Sequence, residues 1–144
     1  KKPEKRLLNC DAFRKGFDNG KDHSQHGKGS CRHRPYSQGI EAGNFVFCSG
    51  QLPINPATGE RPEDIKAQTE ASIANVKAVL EAAGSSLCKV VKTTCFLADI
   101  SDFASFNEVY AKHFPANSAP ARSAVGIAAL PKGAKVEIEA IAIK

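Results

Sequence analysis

The sequence predicts a single α+β domain in which a mixed β-sheet carries two helices on one face. Between residues 35 and 144, β-rich runs alternate with two segments of helical period. Each helical segment connects two strands, which favours crossovers that pack on one face of the sheet. The length of 144 residues accommodates one hydrophobic core of ordinary size.

Residues 1–34 differ from the rest of the chain, and we expect them to form a disordered basic leader. They contain ten Lys/Arg and four Asp/Glu, a charge of +6, whereas residues 35–144 contain ten and eleven, a charge of −1. The leader shows neither helical nor strand period and is rich in Lys, Arg, Gly, His and Asn, as solvated segments are. The net charge of +5 therefore belongs to the leader, which weakens the case for a nucleic-acid partner.

Cysteine usage favours a reducing, cytoplasmic setting. The five cysteines are an odd number without C-x-x-C spacing, which argues against a disulfide framework. Cys48, Cys88 and Cys95 lie in or beside apolar strands and are predicted to be unpaired packing residues. Three histidines near Cys31 leave a metal site as an alternative, although their spacing fits no standard one. No run approaches the ~20 apolar residues of a membrane span, and none resembles a secretory signal, so we expect no membrane partner.

The first predicted strand covers residues 44–51. It follows a turn-prone segment, residues 35–39, and precedes a loop rich in Pro, Asn and Gly. The strand ends in Ser49-Gly50, a sequence that allows backbone to approach a ligand closely. A second β-rich run, residues 89–97, is predicted to be a strand covered on both faces.

Two helices are predicted on either side of that second strand. Acids in the first turn favour a helix that begins at residues 62–64, and Gly84 ends it. Ser101 is the predicted N-cap of the other helix, with Asp102 in its first turn. The apolar stripes at helical spacing are Ile65, Thr69, Ile73, Val76, Leu80 and Ala83 in the first helix, and Phe103, Phe106, Tyr110 and Phe114 in the second.

The last quarter of the chain is predicted to be a β-hairpin. Two apolar alternating runs, at 119–129 and 136–142, are joined by a Pro-Lys-Gly turn. The hairpin carries Arg122 at its entrance and places Glu137 and Glu139 on one face of an apolar strand. A sheet with helices on one face also leaves an apolar face uncovered, so we expect a partner subunit and an oligomer.

Six blocks between residues 35 and 144 resemble the Rid/YjgF family of reactive-intermediate deaminases. The blocks are Pro35-Tyr36-Ser37-Gln38, Cys48-Ser49-Gly50-Gln51, Asn75-Val76-Lys77, Phe106-Asn107-Glu108-Val109-Tyr110, Pro120-Ala121-Arg122-Ser123 and Val136-Glu137-Ile138-Glu139-Ala140. The resemblance implies a chorismate-mutase-like fold and a homotrimer with active sites between subunits. It also implies hydrolysis of 2-imino acids and enamines, such as 2-iminopropanoate, 2-iminobutanoate and 2-aminoacrylate, to 2-keto acids and ammonia.

The resemblance assigns the two main catalytic roles to Arg122 and Glu137. A guanidinium fork can hold the carboxylate of a 2-imino acid bidentately; the alternative is a surface or interface ion pair. Glu137 matches the acid that positions or activates the attacking water, and its alternative is a structural partner for a lysine at the subunit contact. Glu139 is the second choice. Water addition to an imine requires no metal or organic cofactor.

The remaining site residues also follow from the resemblance. Tyr36 matches an aromatic residue that packs on or hydrogen-bonds to the substrate, with plain sheet packing as the alternative. Ser49 and Gly50 match a strand end that faces the ligand. Asn107 lies outside the apolar stripe of its helix, so we expect it to enter the cleft from the neighbouring subunit, unless it is a surface asparagine. The backbone N–H of Ala124 is expected to assist the arginine, and alanine in place of the cysteine of some members argues against an essential thiol.

A predicted hairpin separates Arg122 and Glu137 by about six residues along the strands, roughly 20 Å. They therefore do not pair directly within one chain. They can serve one substrate by reaching across the cleft or by coming from different subunits, and the sequence leaves both routes open.

The leader departs from the family, whose members begin with a short apolar strand and then Gly-Pro-Tyr. Here that strand is missing, and Arg34 precedes Pro35. A codon set exists for residues 19–34 that, read one base later, encodes a family-like start with an initiator methionine. We therefore hypothesise that residues 1–34 are a frame-shift product and that the sheet of the domain consequently lacks an edge strand. Sequencing of the coding DNA tests this hypothesis directly.

Two other function classes remain open at this point. Some family members have been described as ribonucleases or translation inhibitors, but residues 35–144 are net negative and contain only His113 as a histidine. A catalytically silent ligand-binding member is the other alternative. The presence of Arg122 argues against this silent class.

Overall fold

The described residues of the chain form six β-strands and two α-helices. The computed structural model describes residues 5–8 and 36–144. In chain order the elements are β1 (Lys5–Leu8), β2 (Gly39–Ala42), β3 (Phe45–Gln51), α1 (Ile65–Ala82), β4 (Val90–Leu97), α2 (Phe103–His113), β5 (Ala121–Gly126) and β6 (Val136–Ile143). In these residues no helix is both long and apolar enough to cross a membrane.

The strands form one mixed sheet in the order β1-β2-β3-β6-β4-β5. Every neighbouring pair is antiparallel except β4 and β5, which are parallel. Alternate residues of the strands pack against α1 and α2, because strand side chains point to the two faces in turn. The buried core includes Val46, Ile73, Leu80, Leu97, Phe106, Val136 and Ile138. The predicted mixed sheet with both helices on one face is confirmed.

The predicted hairpin at the end of the chain is wrong. β5 and β6 do not pair with each other, because β4 lies between them: Thr93 of β4 is opposite Arg122 of β5 on one side and Ala140 of β6 on the other. The connection passes the end of β4, where Ile127 N donates to Leu97 O at 2.9 Å. Alternating apolar runs predict that two strands exist, but they contain no information on whether a third strand separates them.

Strand β2 was absent from the predicted elements. It is only four residues long and pairs with β3 through a two-residue turn, Gly43-Asn44. Gly43 has a φ of +60°, as the first central residue of a type II′ turn requires. The short strand carries a glycine and a glutamate, which obscured its β pattern.

The caps of the helices partly match their predictions. Asp64 is the N-cap of α1, where its Oδ1 accepts from Ala67 N at 2.9 Å, so the acids lie before the first turn instead of within it. Gly84, with a φ of +75°, ends α1 as predicted. The predicted Ser101 cap is wrong, because Asp99 Oδ1 accepts from Ser101 N at 2.9 Å and starts a 3-10 turn before α2. The predicted apolar stripes face the core except at Phe103, which is 36% exposed at the start of α2.

The prediction that residues 1–34 form no strand is wrong for Lys5–Leu8. These four residues pair antiparallel with β2 as an edge strand, and Leu8 is 3% exposed in the core. Arg6 lies 3.6 Å from the buried carboxylate of Glu41, which is also paired with Lys144. The expected disorder, the alternative metal site and the other leader positions lie outside the described residues, and the frame-shift hypothesis stays untested.

The sheet face opposite the helices, here called the open face, has no covering element among residues 5–8 and 36–144. Phe45, Phe47, Val125 and Ile143 are 37–44% exposed there. Within the described ranges, β4 is covered by the helices on one face only, which differs from the prediction of cover on both faces. The open face also holds a shallow concavity of about 400 Å³, lined in part by Phe47, Lys92, Thr94 and Glu139.

Candidate active site

Arg122 lies on the edge strand β5 and faces the helices. Its Nη1 donates to Asn107 Oδ1 of α2 at 2.8 Å. Its guanidinium carbon lies 4.5 Å from the ring centroid of Tyr110, 5.5 Å from that of Phe103 and 5.9 Å from that of Phe106. These five residues, Arg122 with its four contacts on α2, are called the arginine cluster below.

The structure differs from the prediction that Asn107 enters the site from a neighbouring subunit. Asn107 and Arg122 of the same chain are hydrogen-bonded. The reason is helical spacing: positions 103, 106, 107 and 110 share one side of α2, so an asparagine beside the aromatic stripe still faces β5. Asn107 thereby holds one N–H of the guanidinium fork.

Ala124 follows Arg122 two residues along β5 and points to the same face of the sheet. It is half-buried against the core and lies opposite Cys95 of β4. Burial raises the pKa of Cys95 to about 11 and that of Cys48 to about 12. Both thiols are therefore protonated at neutral pH, and neither forms a disulfide. The predicted packing role is confirmed for these two cysteines and is wrong for Cys88, which is exposed.

Glu137 lies on β6 and points to the open face, opposite Phe96 of β4. Its carboxylate lies over the backbone of β3 at Gly50: a Cβ built on Gly50 would be 2.9 Å from Glu137 Cδ and would overlap Oε1. Burial raises the pKa of Glu137 above its usual value, and the charge of Glu139 on the same face adds to the shift. A raised pKa brings the carboxyl closer to neutral pH, where it can accept and return a proton.

Ser49 and Gly50 lie in a β-bulge. The register between β3 and β6 shifts between Cys48 and Gln51, so both intervening residues are available to the open face. Bulges occur frequently beside active sites because they redirect side chains and interrupt the ladder. Here the bulge places Gly50, which has no side chain, under the Glu137 carboxylate.

Ser49 connects this bulge to Tyr36. Its hydroxyl donates to Ser37 O at 2.6 Å and its N–H donates to Gln38 O at 2.9 Å. Tyr36 is 54% exposed and directly precedes these residues. The structure therefore places Tyr36, Ser49, Gly50 and Glu137 in one part of the molecule, called the glutamate cluster below.

Gln51 fixes the end of β3 in place. Its side-chain Nε2 donates to Gln38 Oε1 at 3.2 Å and to Ser49 O at 2.9 Å. Its carbonyl accepts from Ser72 Oγ of α1 at 2.8 Å. These hydrogen bonds, of which the one from Ser72 is buried, anchor the glutamate cluster to the core. Sequence reasoning missed this role because the residues are not adjacent in the chain.

The arginine and glutamate clusters of one chain do not form one site. Arg122 and Glu137 point to opposite faces, three residues apart along β4 and two strands apart across the sheet, a Cα separation of about 14 Å. This distance replaces the roughly 20 Å expected from a hairpin.

The sequence also assigned Tyr110 to the core alone. Its position one helical turn from Asn107 was the signal that it contacts the same arginine.

Groups of three or more His, Cys, Asp or Glu side chains placed to hold a metal ion are absent from the described part of the chain. The chemical groups that the two clusters offer are therefore a guanidinium fork, a carboxyl with a raised pKa, a phenol and backbone groups at a bulge. This set can bind a small carboxylate and transfer protons.

Comparison with known proteins gives a consistent result. A family model described as endoribonuclease L-PSP matches residues 31–144. A RutC family protein of Pyrococcus horikoshii is 57% identical over 111 residues, which are 76% of this chain and 87% of that protein. The 2-iminobutanoate/2-iminopropanoate deaminase of Escherichia coli (strain K12) is 51% identical over 112 residues, 76% of this chain and 88% of that protein.

Solved structures show the same relationship. The crystal structure of Escherichia coli TdcF with bound serine superposes with a TM-score of 0.73 at 49% identity, over 77% of this chain and 89% of that one. The crystal structure of the YjgF gene product from the same organism gives a TM-score of 0.72 at 51% identity, over 76% and 88% of the two chains.

Proposed function

Since this chain belongs to the Rid/YjgF family, we propose that it hydrolyses short 2-imino acids and their enamine tautomers to 2-keto acids and ammonia. The candidate substrates are 2-iminopropanoate, 2-iminobutanoate and 2-aminoacrylate. The observation that carries the proposal is the arginine cluster, because its guanidinium is held in place and matches the carboxylate that all three compounds share.

The geometry of Arg122 suits carboxylate binding. A guanidinium has five N–H donors in a planar fork, and Asn107 accepts from Nη1 at 2.8 Å. The remaining donors can form the two parallel hydrogen bonds of a bidentate pair. The names of two relatives support this assignment: one is a 2-iminobutanoate/2-iminopropanoate deaminase, and the other, TdcF, was solved with bound serine.

The proposed reaction is addition of water to a C=N bond followed by loss of ammonia. Water attacks the imine carbon and gives a carbinolamine, with one proton transferred to the nitrogen. A proton then moves from the carbinolamine hydroxyl to its nitrogen, the C–N bond breaks and its electron pair leaves with the nitrogen as ammonia, so that a C=O bond remains. Neither step changes the oxidation state, and both require only proton transfers.

Glu137 is the group proposed to move those protons. Its raised pKa suits a carboxylate that accepts a proton from water and returns it to the departing nitrogen. Tyr36 is proposed to contact the substrate from the same cluster, and Ser49 and Gly50 to contribute backbone at the bulge. Ala124 N–H is proposed to assist Arg122.

The assembly proposed for this chemistry is a homotrimer. The apolar open face provides the contact surface, and a cleft between subunits would join the arginine cluster of one chain to the glutamate cluster of the next. Within one chain the two clusters are on opposite faces, which supports the route through different subunits that the sequence left open.

The decisive experiment generates 2-aminoacrylate with a serine dehydratase in the presence of an amine that traps the imine. An active deaminase lowers the trapped fraction and raises the fraction released as pyruvate and ammonia. We expect the wild-type chain to do so in proportion to its concentration, and Arg122→Ala to lose the effect by at least about 100-fold. Equal trapping with the two proteins would contradict the proposal and favour a silent ligand-binding member.

RNA cleavage, the activity in the family model's description, receives little support from the described residues. His113, the histidine of residues 36–144, is bound to Glu70 Oε1 at 2.8 Å on the surface of the two helices. The residues 35–144 also carry a net charge of −1, which does not favour a phosphate backbone. Incubation with a labelled single-stranded RNA provides the parallel test, in which we expect no cleavage.

A further inference from the structure

We propose that Tyr110 and Thr93 are positioning residues that hold the Arg122 guanidinium in the orientation needed to bind the substrate carboxylate. This inference rests on the proposed function, because it assigns Tyr110 and Thr93 a role that acts through the proposed carboxylate anchor. Neither residue belongs to the predicted site, and both were expected to serve only the core or the sheet.

The first observation is the stacking of Arg122 on Tyr110. The guanidinium carbon lies 4.5 Å from the centroid of that ring, closer than to Phe103 or Phe106. A cation within about 6 Å of an aromatic face is attracted to it, and arginine also stacks its plane on the ring. The Tyr110 ring therefore restricts the guanidinium on one side while Asn107 restricts it at Nη1.

The second observation is that the Tyr110 ring is itself held in place. Its hydroxyl is hydrogen-bonded to Thr93 Oγ1 at 2.6 Å, and both residues are buried. Phe114 stacks at 4.6 Å between centroids and limits rotation of the ring further. Burial raises the pKa of Tyr110, so its hydroxyl keeps its proton for the bond with Thr93.

The third observation is the register of β4 and β5. Thr93 lies directly opposite Arg122 and points to the same face, so one residue of β4 fixes the ring on which its cross-strand neighbour stacks. An arginine on an edge strand would otherwise sample many rotamers and would lose that side-chain entropy on binding. The hydrogen bond and the stacking together reduce that loss before the substrate arrives.

Loss of this positioning should therefore weaken substrate binding more than it slows the chemical step. Arg122 is proposed to contact the carboxylate in the ground state and in the transition state alike, so its positioning contributes uniform binding. Loss of the Tyr110 ring should therefore raise KM and leave kcat nearly unchanged. A purely structural loss would lower the fraction of active protein and reduce kcat instead.

The test compares Tyr110→Leu, which removes the ring, with Tyr110→Phe, which keeps it. Val109→Ala is the matched control, because Val109 is also buried on α2 and is not among the contacts of Arg122. We expect Tyr110→Leu to raise KM about tenfold, the effect of a ring contact worth about 1.4 kcal/mol. Tyr110→Phe should stay within about threefold of wild type and Val109→Ala should leave KM unchanged.

Thr93→Val and Thr93→Ser keep the test informative if Tyr110→Leu does not fold. Valine has nearly the shape of threonine but lacks the hydroxyl, so we expect a rise in KM of about threefold, and serine should restore the wild-type value. Because Tyr110→Phe and Thr93→Val remove the same hydrogen bond, their double variant should show no further change in KM.

Two binding measurements separate this inference from the proposed function. Pyruvate, a product-like carboxylate, is titrated into each variant by calorimetry, and the Arg122 Nε–H order parameter is measured by NMR. We expect Tyr110→Leu to weaken pyruvate binding about tenfold and to lower the order parameter. If the wild type binds pyruvate through Arg122 but hydrolyses no imine, the proposed function fails and the positioning role stands. Unchanged binding and order in Tyr110→Leu, or no pyruvate binding by the wild type, would overturn the positioning role.

Discussion

Arg122 and Glu137 of one chain lie on opposite faces of the same sheet. The register shows it directly: Arg122 is opposite Thr93, whose side chain points to the helices, and Glu137 is opposite Phe96, whose side chain points to the open face. Side chains that differ by an odd number of positions along β4 cannot share a face. We therefore propose that a substrate that contacts both residues lies between two chains.

This geometry predicts subunit complementation. Arg122→Ala and Glu137→Gln should each abolish imine hydrolysis alone, but co-refolded mixed trimers should regain activity. In an equimolar random mixture, about one quarter of the sites combine an intact Arg122 with an intact Glu137 from the neighbouring subunit. We therefore expect about a quarter of the wild-type rate in the trapping assay. Native mass spectrometry verifies that mixed trimers have assembled. If such trimers regain no activity, each chain supplies both residues of its own site.

The raised pKa of Glu137 predicts a trade-off between stability and activity. A carboxyl whose folded pKa exceeds its unfolded value favours the folded state fully at low pH, and this contribution is lost as pH rises from about 4.5 through the folded pKa. Glu137→Gln, which stays neutral, should therefore have a higher Tm than wild type at pH 7 and a similar one at pH 3. Activity should fall by about 100-fold or more. Thermal unfolding at both pH values measures the difference, and a Tm lower than wild type at pH 7 would contradict it.

Gly50 is predicted to act through Glu137. A Cβ at position 50 overlaps the Glu137 carboxylate, while Gly50 is not among the positive-φ residues, so alanine is compatible with its backbone. Gly50→Ala should displace the carboxylate and lower kcat about 10- to 100-fold with little loss of secondary structure. The control is the double variant with Glu137→Gln. If Gly50 matters only for the placement of Glu137, the alanine should cause no further loss in that background.

Edge strand β1 should contribute to stability through Leu8 and much less through its charge pair. Leu8 is 3% exposed, whereas the Arg6 side chain is 72% exposed and lies 3.6 Å from Glu41. Leu8→Ala should lower the free energy of unfolding by about 2–5 kcal/mol. Arg6→Ala should change it by less than about 0.5 kcal/mol. Urea unfolding measures both, and equal small effects would show that β1 is not packed against the core in solution.

The individual elements were largely predictable because they depend on local patterns. The stripes of α1 and α2 follow the helical period, Gly84 provides the conformation that ends α1, and a run of β-branched residues predicts β4. The errors within individual elements were also local in origin. The pattern predicts Ser101 as the cap, whereas Asp99 accepts the hydrogen bond. The two short strands, β1 and β2, have too few residues to show a period.

The composition of the site was predictable from family-like blocks, but its arrangement was not. The blocks identify Arg122, Asn107, Glu137, Tyr36, Ser49, Gly50 and Ala124 as candidates, and their roles remain predictions. They do not show that Asn107 pairs with Arg122 of its own chain. Nor do they show that Tyr110 and Thr93 support the arginine, because 17 residues separate that hydrogen-bonded pair.

The sequence by itself determined the family, the α+β class and the residue types available for chemistry, since these depend on local period and on characteristic blocks. Tertiary structure alone decided that β4 lies between β5 and β6, and so placed Arg122 and Glu137 on opposite faces. The physical reason is that a strand's side-chain alternation fixes two faces but not which strand is its neighbour. Pairing partners and their register are settled only when the whole sheet packs on its helices.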